Sequence, residues 1–312
     1  MSATPTLRPA GAPVPRPARR RGSPKTPLER VLGWAFRALV WLVFAFLVVP
    51  IGIVVIESFN SVAYLSFPLE GVSLKFYRKF FGDSSWVDAT LTSGRIALMA
   101  ALLATVIGAM AAWSLARSSM RGKGLLFGLM LSPLIVPLIV LAISYYLFFV
   151  KLRLIGSEFA IAAAYAAMGV PFVLVVVSGA LQHFDPELEN AARTLGAGPI
   201  RTLWRVTLPQ LASAIGAGAI FAFVTAFDEA VVILFVSGSD AITLPRKLWD
   251  SVRYDIDPTL AVAGTVLIAV SVGLFTVAEL IDAARKRRRR RVIGAGHLTN
   301  ETAEGITGKD IP

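Results

Sequence analysis

Two adjacent carboxylates stand in the apolar run Phe221-Ala-Phe-Val-Thr-Ala-Phe-Asp228-Glu229-Ala-Val-Val-Ile-Leu-Phe235, which holds no other charge. A charged side chain at the centre of a bilayer costs roughly 2.5–3.5 kcal/mol even on insertion scales, so such a group faces protein or water. Neighbouring positions on a helix point about 100° apart, so Asp228 and Glu229 cannot share one narrow stripe. One is expected to line a translocation path or a subunit interface, and the other to pair elsewhere, with Arg95 a candidate partner. The alternative is a structural ion pair that holds helices in register. Covalent chemistry is missing from the pattern. The chain has no cysteine and only two histidines, His183 and His297, which leaves little for a thiolate or histidine metal site. Ser, His and acidic residues never cluster as a catalytic set. No glycine-rich phosphate loop with its Lys-Ser/Thr is present, so the chain is expected to hydrolyse no ATP itself and to carry no cofactor or metal.

A second group of polar residues lies in Asp185–Pro209, DPELENAARTLGAGPIRTLWRVTLP, the one long polar interruption in the second half of the chain. Asp185 suits an N-cap and Pro186 the first helical position. Glu187 and Glu189 complement the positive end of a helix running to Leu195. Gly196 then supplies a left-handed stop. A second short helix is expected to begin at Pro199, carry Arg201 and Arg205, and end before Pro209. Two short helices joined by a glycine-rich bend, lying outside the bilayer, suit docking.

This stretch resembles the signature loop of ABC importer permeases, which reads Glu-Ala-Ala, three residues, Gly, nine residues, an apolar residue, any residue, Leu-Pro. Here Asn190-Ala191-Ala192 is followed by Gly196, and nine residues later by Val206-Thr207-Leu208-Pro209. One position departs: the motif's Glu is Asn190, with Glu189 one residue earlier. The resemblance implies that the loop at 182–209 is the coupling helix, seated in a groove of a cytoplasmic ATPase, with Glu187, Glu189, Asn190, Ala191, Ala192, Gly196 and Pro209 as its coupling residues. The runs Ser58-Phe59-Asn60, Ser73-Leu-Lys-Phe-Tyr77, Phe227-Asp228-Glu229, Phe235–Pro245 and Trp249–Pro258 look like the second permease subunit of spermidine/putrescine importers. Permeases for ferric iron, phosphonates and opines share much of this pattern.

The elements that must position these residues follow from composition. Of 312 residues 55% are hydrophobic and only 16% charged, and the mean hydropathy is +0.68. That surplus of apolar surface indicates a polytopic, all-α integral membrane protein. Six transmembrane helices are expected at about 31–56, 89–116, 125–150, 159–181, 211–236 and 259–281, within a permease domain spanning 29–283. Residues 1 to about 28, rich in Pro, Arg and Ala, are expected to be a disordered basic tail, and 284–312 a second basic tail. The first apolar run is too long for the core of a signal peptide and lacks a cleavage site. Pro133, Pro137 and Pro171 fall inside spans and are expected to kink them. Ala212, Ser213, Gly216, Ala217 and Gly218 would let the fifth span pack closely. The aromatic and basic run at 73–81 fits a short amphipathic helix lying on the membrane surface.

Charge sets the orientation. Lys and Arg number 7, 3, 3 and 8 in segments 1–30, 117–123, 182–209 and 284–312, against 3, 2 and 3 in 57–88, 151–157 and 238–257. The positive-inside rule then places both termini and the signature loop in the cytoplasm, and the resemblance implies that the membrane is a bacterial cell (inner) membrane. The basic run Arg285–Arg291, directly after a span, reads as a topology anchor that also meets anionic membrane lipid; nucleic acid is not expected as a partner. The resemblance implies a type I ABC importer permease (MetI-like) fold. It also implies a second homologous permease subunit, two copies of a cytoplasmic ATP-binding subunit and an extracytoplasmic solute-binding protein. An ATP-independent carrier or channel would explain the spans but leave the signature spacing as coincidence.

Overall fold

The computed structural model describes residues 26–66, 68–254, 256–281 and 283. The tails expected at 1–28 and 284–312, with the basic run at Arg285–Arg291, lie outside these residues except for 26–28. The chain divides into two units, residues 1–53 and 54–312.

Helix α1 (Pro27–Glu57), which makes up nearly all of the described part of the first unit and ends four residues beyond it, is apolar along most of its 31 residues, with Pro50 inside it. At 1.5 Å per residue it is about 46 Å long, enough to cross a hydrocarbon core of about 30 Å.

The second unit is built on α3 (Ser84–Arg117), α6 (Glu158–Gln182) and α9 (Leu208–Phe227), which pack together along most of their lengths. Small residues set their spacing in two layers one helical turn apart. In the first, a Cβ on Gly169 would lie 3.1 Å from the Cβ atoms of both Ala104 and Ala222. In the second, Val173 sits between two glycines: a Cβ on Gly108 would lie 2.7 Å from the Val173 Cβ, and one on Gly218 3.0 Å from its Cα. Only glycine permits that approach of three backbones. Pro171 lies between the two layers, inside α6 and buried, without breaking the helix.

The third and fifth expected spans are not continuous helices. The stretch expected as one helix at 125–150 consists of α4 (Lys123–Leu131), a 3₁₀ turn (Ser132–Leu134) and α5 (Leu138–Leu152), and the two halves are bent by 95°. Proline explains the break. Pro137 has ψ 131°, outside the helical region, and it biases Val136 before it away from that region. The stretch expected at 211–236 is α9, which ends at Phe227, followed by the short α10 (Val231–Val236). Five described helices are long and apolar enough to cross a membrane, or six if the bent α4–α5 pair is one span. The last is α12 (Thr259–Ile281).

The short amphipathic helix expected at 73–81 forms, and a smaller core takes up its aromatic stripe. On α2 (Lys75–Gly82), Phe76 and Phe80 lie one turn apart and are buried against Trp86, Val262, Ala263 and Leu244 of α11 (Leu244–Tyr254). The aromatic stripe packs on protein, and Phe81 is the only phenylalanine of α2 left exposed.

Candidate functional site

The 182–209 loop is built by local rules up to Gly196. Asp185 Oδ1 accepts the backbone N–H of Glu187 at 2.9 Å and so starts α7 (Glu187–Thr194). At the other end Gly196 N donates to Arg193 O at 2.9 Å and Ala197 N to Ala192 O at 3.0 Å. Gly196 has φ 83°, and a Cβ there would meet nothing within 4 Å, so the glycine serves the backbone turn alone. Glycine's tolerance of that conformation ends the helix.

The second short helix does not end before Pro209. From α8 (Pro199–Thr202) the chain passes through a π turn (Leu203–Thr207) directly into α9, giving one helical stretch from Pro199 to Phe227. A proline in a helix interior gives no N–H to the carbonyl four residues back and crowds it. The wider π turn ends just before Pro209, which then stands in the first turn of α9, where an N–H is not needed.

Glu189 is turned inward. Only 5% exposed, it accepts a hydrogen bond from the Thr207 hydroxyl at 2.7 Å and forms an ion pair with Arg117 at 2.9 Å. Arg117 is the last residue of α3, and its guanidinium also lies 5.5 Å from the Phe184 ring centre. Burial by itself would raise the Glu189 carboxyl. The hydrogen bonds from Thr207 and Arg117, with the charges of Arg117 and Arg193, outweigh burial and hold it below the ordinary carboxylate range. The neighbouring Asn190 is exposed, as are Glu187 and Ala191, while Ala192 is half-buried. Large apolar side chains are exposed beside them: Leu188, Leu195, Ile200 and Trp204, with Leu195 88% exposed. Sequence reasoning missed Arg117 and Thr207. Arg117 is one base among three in a short turn, and Thr207 lies at the motif position that accepts any residue.

The paired carboxylates of the fifth span do not lie within a helix, and the 100° argument does not apply to them. They form the break between α9 and α10. Glu229 is buried, and its Oε1 accepts the N–H groups of Val231 at 2.7 Å and Val232 at 2.9 Å, capping α10. Its carbonyl accepts the Tyr165 hydroxyl of α6 at 3.2 Å. Asp228, in contrast, is exposed. Arg95 is not the partner of either. It forms an ion pair with Glu158 at 2.8 Å, near the start of α6. The two half-helices that follow the breaks, α5 and α10, pack on one another, and Gly156 N donates to Val236 O at 3.0 Å.

Comparison with known proteins bears out the resemblance to ABC importer permeases. Residues 104–291 match the family described as binding-protein-dependent transport system inner membrane component. Over 244 residues the chain is 30% identical to the spermidine/putrescine transport system permease protein PotC of Haemophilus influenzae, covering 78% of this chain and 95% of that one. It is 34% identical over 262 residues to the putrescine transport system permease protein PotI of Escherichia coli K12, covering 81% and 93%. In fold it is similar to a bacterial ABC transporter involved in the import of the acidic polysaccharide alginate, with a TM-score of 0.63 at 15% identity over 83% of this chain and 98% of that one. It is also similar to the inward-facing MetNI methionine ABC transporter, with a TM-score of 0.53 at 18% identity over 64% and 94%. The chain belongs to the binding-protein-dependent transport system inner membrane components and is a multi-pass permease subunit of an ABC importer.

Proposed function

We propose that this permease forms, with a second related permease, the path of an ATP-driven importer that takes up a polyamine delivered by an extracytoplasmic binding protein. The observation that carries the reading is Asp228, an exposed carboxylate at the point where the fifth span breaks. A polyamine carries several ammonium groups, and bare charge is expensive in a medium of low dielectric. A carboxylate beside non-helical backbone offers such a group a counter-charge and carbonyl oxygens together, as broken helices do in other transporters. The permeases PotC and PotI, whose names specify spermidine and putrescine, add support. Glu229 is engaged by the backbone of α10, which leaves Asp228 as the path residue.

The other half of the reading is the docking of a cytoplasmic ATPase subunit, one of two copies, on the 182–209 loop. Glu187, Asn190, Ala191 and the exposed Leu188, Leu195, Ile200 and Trp204 offer a mixed polar and apolar face of the kind that partners bury. Gly196 and Pro209 shape the two ends of the loop. Positive charge favours the cytoplasm for this end and for both termini.

Uptake into vesicles that hold the permease pair and ATPase, with binding protein outside, tests the function. Labelled putrescine or spermidine should enter only with ATP inside, and a neutral or anionic solute should not compete. Competition by an anion, or ATP-independent uptake, would overturn the reading. For orientation, cysteines are introduced singly into the cysteine-free chain. One at Ser239 should react with an impermeant thiol reagent in intact cells, and one at Ser119 only after the cells are opened.

A further inference from the structure

We propose that Arg117 and Thr207 are positioning residues that lock α7 to the ends of α3 and α9 through Glu189, so that a displacement of α7 reaches both spans together. The inference rests on the reading of α7 as the docking helix.

An eight-residue helix has little stability of its own. Its connections are short. Residues 183–186 lead into it, and Gly196–Gly198 lead out through a left-handed glycine with open space around it. Held by these alone, α7 would pivot under a docking partner, and the push would be lost in the hinges. The Glu189 carboxylate removes that freedom. Its partners are 18 and 72 residues away in the chain, one in the π turn that leads into α9 and the other at the last residue of α3. Thr207 is fully buried and its hydroxyl donates to the same Oε1 that Arg117 approaches. Arg117 also lies over Phe184, so the entry to α7 is held from the same side.

The spans joined in this way are the two that close on Val173 through Gly108 and Gly218. A rigid link at the end of a close-packed triad transmits displacement better than a flexible one, because packed helices shift as bodies. The neighbouring Asn190 is exposed and neutral and Glu187 is exposed, so of the two acids of α7 Glu189 alone serves the permease's own architecture.

Two measurements separate this role from simple structure. In the full-length chain in lipid nanodiscs, amide exchange across 188–195 should accelerate at least about tenfold in Glu189→Gln, because removing one partner of a largely buried pair destabilises what the pair holds, with the α3, α6 and α9 amides unchanged. In the assembled importer, ATP consumed per solute imported should rise about fivefold in Glu189→Gln and in Arg117→Gln, at unchanged recovery of complex. The double variant should be no worse than either single one, and Arg117→Lys should restore most of the coupling. Unchanged α7 exchange in Glu189→Gln would overturn the lock. Faster exchange with unchanged ATP per solute would overturn its role in coupling. If the wild-type chain retains no ATPase, the docking reading fails and the coupling role with it. The exchange arm, read on the chain alone, tells that failure from the absence of the lock.

Discussion

Glu189 and Glu229 are each the buried member of a polar pair whose neighbour is exposed, Asn190 in the first case and Asp228 in the second. Their partners differ. Glu229 is satisfied by two backbone N–H groups two and three residues along, so it makes a local feature, the start of α10. Glu189 is satisfied by side chains from two distant elements, so it makes a tertiary feature. A buried carboxylate must be paired or hydrogen-bonded to be tolerated. The source of the pairing decides whether the residue shapes one helix or joins several. In both pairs the exposed neighbour is the one that the proposed function assigns to a partner or a solute.

The largest effect is expected at the Asp228–Glu229 pair. Asp228→Asn keeps the volume and removes the charge, so uptake of a polyamine should fall by at least about tenfold, the order of a lost counter-charge in low dielectric, while recovery of assembled complex is unchanged. Glu229→Ala should do the reverse. It removes a helix cap worth about 1 kcal/mol, so less complex should be recovered, with uptake per recovered complex near normal. Uptake per complex and complex recovered from the membrane are the two measurements. A loss of uptake confined to Glu229→Ala would invert the assignment of the two acids.

These two regions were not equally legible in the sequence. The start and stop of α7 are readable because Asp185, Pro186 and Gly196 act on their own backbone neighbours. The long apolar runs that became α3, α6 and α12 are readable for the same reason. The clasp on Glu189 joins residues 18 and 72 apart, and no periodicity records such a meeting. The breaks in the third and fifth spans fall between these cases. Pro133 and Pro137 signal a kink, but a kink and a 95° bend have the same local signature, and Pro171 sits in α6 with no break at all. Packing of α6 between α3 and α9 makes the difference, and packing is not local. The aromatic stripe of α2 shows the same gap: an i, i+4 pair of phenylalanines reads alike whether it meets lipid or Trp86, Leu244 and Val262.

An intermediate effect is expected at Gly196. The left-handed conformation costs a residue with a side chain about 1–2 kcal/mol, and a β-branched one most. Since nothing lies within 4 Å of the Cβ position, the cost is in the backbone alone. Gly196→Val should therefore reduce solute-stimulated ATP hydrolysis several-fold by re-aiming the end of α7, without loss of membrane insertion. Gly196→Asn, which tolerates the conformation better, should lie between valine and wild type. Equal and full stimulation in both variants would separate the geometry of this bend from the docking of an ATPase.

The smallest effect is expected at the pair that resembles the clasp most closely on distance alone. Arg95 and Glu158 lie 2.8 Å apart, and Arg117 and Glu189 2.9 Å. Their surroundings differ: the Arg95 and Glu158 side chains are 63% and 36% exposed, against 28% and 6% in the clasp. An ion pair open to water gains little, commonly about 0–1 kcal/mol, because solvent screens it and two long side chains must be held still. Glu158 also has a second source of stabilisation, since it lies in the first turn of α6, where the helix dipole favours a negative charge. Arg95→Gln should thus leave Glu158 tolerated in place and change thermal stability by less than about 1 kcal/mol, with uptake unchanged. Glu189→Gln, removing a carboxylate of similar ion-pair length, should be felt clearly in both α7 exchange and coupling. Thermal unfolding and uptake of the two variants side by side make the measurement. If Arg95→Gln proved as damaging as Glu189→Gln, burial would not be what separates the two pairs, and Arg95 would need a partner beyond this chain.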